Sequence, residues 1–197
     1  MAWREQFGRP RGVLGWVAGK LMARGKGEFS LDLLGDVGVA PTDRVLEIGF
    51  GPGIGIEVAA RLASQGRVFG VDISDVMLRM ATRRNRDAIR AGRVELSLAS
   101  VSELPFEDET FDVVFSTNSV QFWPDLSRDL KEVHRVVRRN GRLALGVQLP
   151  PWILPTAQLE DLGRRVEEHA RAVGFREVVR MERAVGGVPT TRVLAKK

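Results

Sequence analysis

Two acids and a run of glycines carry the first chemical signal of this chain. Residues Val45 to Gly55 read V-L-E-I-G-F-G-P-G-I-G, so Glu47 closes an apolar run and Gly49, Gly51, Gly53 and Gly55 follow at alternate positions. Glycine has no Cβ and tolerates positive φ, which lets such a loop bring its backbone close to a ligand. A second apolar run, Arg67 to Val71, ends on Asp72, 17 residues beyond the last of these glycines. An acid at the tip of the second strand of a βαβ unit is placed to accept hydrogen bonds from ribose hydroxyls. Its two oxygens match two hydroxyls. Residue types and spacing together predict an adenosine-containing cofactor.

The elements that must position these residues follow from the hydrophobic pattern. Strands are expected at Arg44 to Ile48, Arg67 to Val71, Val94 to Leu98, Phe111 to Ser116 and Arg142 to Val147, each separated by a helical stretch. The helix Ile54 to Leu62 turns its N-terminus toward the ligand. Alternating strands and helices imply a parallel sheet covered on both faces. After a helix at about Leu159 to Val173, strands Arg176 to Arg183 and Thr190 to Ala195 flank Gly186-Gly187-Val188-Pro189. Strands that close together can be joined only as an antiparallel hairpin. Ahead of the first strand stand a helix near Leu31 to Val37 and a helical arm at about Gly12 to Arg24. The expected division is an arm or lid over 1–40 and one α/β domain over 41–197.

A nicotinamide dinucleotide is the obvious adenosine cofactor, but G-x-G-x-x-G fails here. Counting from Gly49 puts Ile54 at the third glycine, and counting from Gly51 puts Ile56 there. With an acid two residues before its first glycine, the loop instead resembles motif I of the class I S-adenosylmethionine (SAM) methyltransferases. The segments A-S-V-S-E-L-P-F from Ala99, F-D-V-V-F-S-T-N-S-V-Q-F-W over Phe111 to Trp123 and E-V-H-R-V-V-R-R-N-G-R-L over Glu132 to Leu143 are similar to those that follow motif I in the ubiquinone and menaquinone biosynthesis type. The resemblance covers roughly residues 28–197. It implies a Rossmann-like seven-stranded sheet with helices on both faces and a C-terminal antiparallel hairpin.

It also implies roles. Glu47 would orient the methionine part of SAM, Gly49, Gly51 and Gly53 would permit close approach, and Asp72 would take the ribose. The alternative for Asp72 is a helix N-cap, for which Ser74 is at least as good. Ile73 would pack on the adenine. Ser100 and Val101 fall in the adenine-recognition loop, where many relatives carry an aspartate in the place of Ser100. Thr117 would touch the methionine end. Asn118, Gln121, Phe122 and Trp123 lead toward the acceptor, with packing as the alternative for Trp123. In the arm, Val13, Trp16, Val17 and Leu21 share one helical face. Trp16 would line the acceptor pocket if the arm closes over SAM; packing on the sheet and contact with a membrane surface are the alternatives.

Transfer of a sulfonium methyl group is an in-line displacement, and no residue is assigned as a catalytic acid or base. His134, on a helix expected at Leu130 to Arg138, and His169 are read as structural. The expected function is methylation of a small-molecule acceptor, with S-adenosyl-L-homocysteine (SAH) as the other product. Phospholipid amine methylation and a non-catalytic SAM-binding module are the alternatives. The absence of cysteine excludes a disulfide framework, a thiolate metal site and methylation through a cysteine adduct. No metal is expected. The absence of tyrosine excludes the Tyr/Lys proton donor of short-chain dehydrogenases. Lys and Arg outnumber Asp and Glu 30 to 25, but six arginines lie on a helix after Asp72 and read as a solvated face. With no N-P-P-aromatic signature after the fourth strand, a nucleic-acid substrate is disfavoured. No apolar run approaches the ~20 residues of a membrane span. Lys20 interrupts Val13 to Ala23, so a secretory signal is not expected and the expected location is cytoplasmic.

Overall fold

The computed structural model describes residues 26–197, and the expected arm, with Trp16, lies outside them. A helix α1 (Lys26–Val37) leads into β1 (Arg44–Ile48), α2 (Ile54–Leu62), β2 (Arg67–Asp72), α3 (Asp75–Arg84), α4 (Arg86–Arg90) and β3 (Val94–Leu98). A long loop reaches β4 (Phe111–Thr117). A short 3₁₀ turn (Val120–Phe122), α5 (Leu126–Val136) and β5 (Val137–Gln148) follow. The chain closes with α6 (Thr156–Ala172), β6 (Arg176–Val185) and β7 (Val188–Lys196). The strand order is β3-β2-β1-β4-β5-β7-β6. The first five strands are parallel, and β7 enters antiparallel between β5 and β6. This is the seven-stranded class I methyltransferase sheet.

Period-two alternation along the strands builds two cores. Val45, Val68, Val113, Phe115 and Ala144 pack beneath α1, α2 and α3 with Leu33, Leu34, Ile56 and Met77. The alternate residues Leu46, Ile48, Val71, Val114 and Leu145 pack against α5 and α6 through Leu130, Val133, Leu159 and Val166. Successive strand residues face opposite sides, so a central strand with both sides covered must be apolar throughout. Glu47 interrupts that rule in β1, which marks it for a role other than packing.

Boundaries differ from expectation where caps decide them. α1 extends ahead of the expected Leu31, because Phe29 already belongs to its buried face. α5 starts at Leu126 rather than Leu130, because Asp125 caps it by accepting from the N–H groups of Ser127 (2.9 Å) and Arg128 (3.1 Å). β5 begins at Val137, which pairs with Phe111; the ladder resumes at Arg142 after a shift of register, with Asn140 at φ 61°. The hairpin is tighter than the sequence suggested. Gly186 and Gly187 alone make the turn, at φ 57° and 77°, the all-positive geometry that two-residue hairpins favour. Arg192 on β7 is fully buried and donates to Asp32 and Asp36, fastening α1 to the hairpin.

Candidate cofactor site at the carboxyl edge

Strand order reverses between β1 and β4, with β2 and β3 to one side and β5 to the other. In open α/β sheets that switch point opens a crevice at the carboxyl ends of the strands. Here the tips of β1, β2 and β4 meet. The amide of Gly49 donates to the Val71 carbonyl at 2.8 Å, and that of Gly51 to Asp72 Oδ2 at 2.8 Å. Asp72 Oδ1 accepts from the Ser74 amide at 2.9 Å. Ser74, not Asp72, is the N-cap of α3, its hydroxyl accepting from the Met77 amide at 3.4 Å. Ile73, between them, is 48% exposed, unusual for isoleucine and fitting a residue that covers a flat ligand.

Glu47 is 1% exposed, and Thr117 Oγ1 donates to its Oε1 at 3.3 Å. Residues far apart in sequence are thus brought to one point beside the glycine loop. Gly49 has φ 74°, and a Cβ there would stand 2.1 Å from Ser119 Oγ. The loop and the segment after β4 therefore touch directly. Gly53 caps α2 at φ 81° with no side-chain hydrogen bond, which leaves the first amides of that helix to other acceptors.

The remaining expected site residues are less uniform. Ser100 Oγ accepts from the Ser102 amide at 3.2 Å, while Val101 is buried. Ser102 donates to the buried Asp129 of α5 at 2.6 Å, tying this loop to the helix. Asn118 sits at φ 54° and its Oδ1 accepts from the Gln148 amide at 2.6 Å, so its side chain joins the ends of β4 and β5. Phe122 is exposed, and Trp123 packs against the second core. Gln121 Oε1 and Trp123 Nε1 are buried without a hydrogen-bond partner among the described residues.

Both histidines lie elsewhere. His134 is near the amino edge, its ring edge-on to Phe175 at 4.9 Å, and burial pushes its pKa below the usual value. His169 is on α6, with Nδ1 2.7 Å from the Arg165 carbonyl. Among the described residues no group of His, Cys, Asp and Glu could hold a metal, and no helix is long and apolar enough to cross a membrane.

Sequence reasoning missed the supports around the site. Arg84 Nε donates to the Pro52 carbonyl and Asn85 Nδ2 to the Gly53 carbonyl, each at 3.0 Å. Glu132 accepts from the Leu104 amide at 2.9 Å, and the adjoining Arg135 guanidinium holds its carboxyl below the usual carboxylate range. The one available signal was polar residues at helical spacing on the buried side of α5, Asp129 and Glu132. The uncapped start of α2, the carboxylate of Asp72 and the exposed Ile73 fit the amino-acid, ribose and adenine parts of SAM respectively.

A methyltransferase-domain family model matches residues 46–145. The uncharacterized methyltransferase YdaC of Bacillus subtilis is 25% identical over 162 residues, covering 82% of this chain and 87% of YdaC. The 27-O-demethylrifamycin SV methyltransferase of Amycolatopsis mediterranei is 37% identical over 134 residues, 66% of this chain but only 47% of that enzyme. Among solved structures, a SAM-dependent methyltransferase from Aquifex aeolicus superposes with a TM-score of 0.74 at 19% identity, over 91% of this chain and 97% of that one.

Proposed function

Because this chain belongs to the class I SAM-dependent methyltransferases, we propose that it methylates a small-molecule acceptor that meets the cofactor beside Thr117 and the segment Asn118 to Trp123. The observation that carries the site is the meeting of Glu47, Thr117, Asp72 and the glycine loop at the switch point. The rifamycin relative, whose printed name gives a small-molecule acceptor, supports the substrate class.

When bound, SAM supplies an electrophilic methyl group on a sulfonium sulfur. Asp72 holds the ribose, and Glu47, steadied by Thr117, orients the methionine end. Ile73 covers the adenine, and Val101, its side chain in the core, offers the ring its backbone N–H. Phe122 and Trp123 make the acceptor side apolar, which favours a displacement in which charge is dispersed. Positioning of this kind contributes about 7 to 11 kcal/mol of barrier lowering in well-oriented reactions. With both histidines placed elsewhere, this reading assigns no dedicated base, and the acceptor supplies its own nucleophile: a thiol, phenol, enolic carbon, amine, or chalcogen or arsenic species.

The test supplies methyl-labelled SAM to the purified protein with fractionated host extract, beside an Asp72→Ala control. Label in small polar products, lost in the control, supports the reading. Label in RNA, protein or lipid overturns it. Two charge-assisted hydrogen bonds are worth about 3 kcal/mol together, so calorimetry should show SAH binding to Asp72→Ala roughly 100-fold weaker.

A further inference from the structure

The glycine loop is gripped from behind by the far end of α3. Arg84 Nε donates to the carbonyl of Pro52 and Asn85 Nδ2 to that of Gly53, each at 3.0 Å. Each carbonyl is coplanar with the amide of the next residue, on the opposite side of the peptide. Fixing the Pro52 and Gly53 carbonyls therefore fixes where the Gly53 and Ile54 N–H groups point. The Gly53 amide closes the loop on the Phe50 carbonyl at 3.0 Å, and Ile54 supplies the first helical amide of α2, one of those without an intrahelical acceptor.

The grip is close. Asn85 is 4% exposed, and its Nδ2 also donates to the Ala81 carbonyl at 3.0 Å. Two carbonyl partners settle the amide's orientation, since only the NH₂ end can satisfy both. A Cβ on Gly53 would stand 2.7 Å from Ala81 Cβ and from Asn85 Nδ2, so the loop lies on this helix end with no room between. Arg84 reaches on to Glu57 Oε2 on α2 at 3.3 Å. At its other end α3 starts on Ser74, whose amide shares Asp72 with Gly51. One helix of ten residues thus holds both sides of the loop: Gly51 through Asp72 at its start, Pro52 and Gly53 through Arg84 and Asn85 at its end.

We propose that Arg84 and Asn85 are positioning residues for SAM, setting the amides of Gly53 and Ile54 through the carbonyls behind them. The proposal rests on the reading of this loop as the SAM site. Asn85→Leu keeps the branching and the number of side-chain heavy atoms and removes both donated bonds; Arg84→Gln keeps a polar side chain but loses the guanidinium reach. Each is compared with wild type by calorimetric Kd for SAH, by KM for SAM against kcat, and by amide hydrogen exchange at Gly53 and Ile54 in cofactor-free protein. Expected are a Kd about tenfold higher for Asn85→Leu and about threefold higher for Arg84→Gln. KM for SAM should rise with kcat at saturation nearly unchanged, and exchange at the two amides should quicken about tenfold. Arg84→Lys, which can still reach one carbonyl, should recover part of the Kd. Variants that fold, bind SAH within a factor of 1.5 of wild type and exchange no faster would overturn the proposal. If Asn85→Leu fails to fold, the partly exposed Arg84 still decides it. Wild type that binds no SAH would instead overturn the site reading, and the exchange measurement would still show whether the two side chains hold the loop.

Discussion

At the carboxyl edge of the sheet Asp72 accepts from the amides of Gly51 and Ser74 and Glu47 from the Thr117 hydroxyl, whereas at the amino edge each of two buried acids pairs with a guanidinium group besides accepting from an amide. Asp43 takes Arg142 Nη2 at 2.7 Å, and Asp112 takes Arg138 Nη2 at 2.6 Å. Lys197 Nζ donates to the carbonyls of His134 and Val137, at 2.8 and 2.9 Å, around the end of α5. Both edges bury carboxylates, and they do so to different ends. The amino edge closes on itself by pairing charge with charge. The carboxyl edge is set by backbone shape, with glycines that let strand tips and loops approach. It follows that charge and pH should govern the frame at one edge, and single methyl groups the site at the other.

The largest effect that would test this division is expected at the amino edge. Arg142→Met leaves the Asp43 carboxylate, 5% exposed, with only the Ala40 amide as a hydrogen-bond partner among the described residues. Stranding one member of a buried pair typically costs about 3 kcal/mol or more. Denaturant unfolding should show a loss of that order, while the Kd for SAH stays within twofold of wild type. A cofactor affinity that falls in step with stability would break the separation of frame from site.

The carboxyl edge should answer to a smaller chemical change. Gly49→Ala places a Cβ 2.1 Å from Ser119 Oγ on a residue held at φ 74°. Strain in such a region costs about 1 to 3 kcal/mol. Relief of that strain by a shift of the loop should take about 2 kcal/mol from SAH binding, some 30-fold in Kd. Adding Ser119→Gly should return part of it. Binding within twofold of wild type for Gly49→Ala alone would show that this contact does not shape the site.

The same division explains what could be read from the sequence. The strand sequence, the hairpin and the meeting of glycine loop and Asp72 follow from local patterns: apolar runs, alternate glycines, a turn too short for a crossover. Glu47 was visible because an acid inside a doubly covered strand violates the pattern around it. The grip of Arg84 and Asn85 on Pro52 and Gly53 was not, since it joins residues 32 apart through side chains that look like the solvated end of a helix. Asn118 shows the converse. It stands where an acceptor contact is expected, and the sequence did not show that its positive φ and its bond from the Gln148 amide also serve the chain reversal after β4. Helix starts were misplaced where a single cap decides them, as Asp125 does for α5.

The smallest expected effect is also the cleanest separation of the two edges. His134 is half-buried on α5 against Phe175, with Lys197 and Glu109 as charged neighbours. Burial, reinforced by the Lys197 charge and opposed by Glu109, lowers its pKa from the ordinary 6.5. The unfolded chain then binds the proton more readily than the native one, so stability is complete above pH 6.5 and declines as pH falls through the lowered native pKa. His134→Phe keeps a ring against Phe175 and cannot titrate. Wild type minus variant, followed by unfolding between pH 7.5 and 5, should therefore fall slightly with acid. Carboxylates common to both proteins cancel in that difference. The SAH Kd ratio between the two should stay flat across the window, because the titrating group belongs to the edge that carries the frame. A difference that rises on acidification would reverse the assigned direction, and a Kd ratio that tracks it would join the two edges.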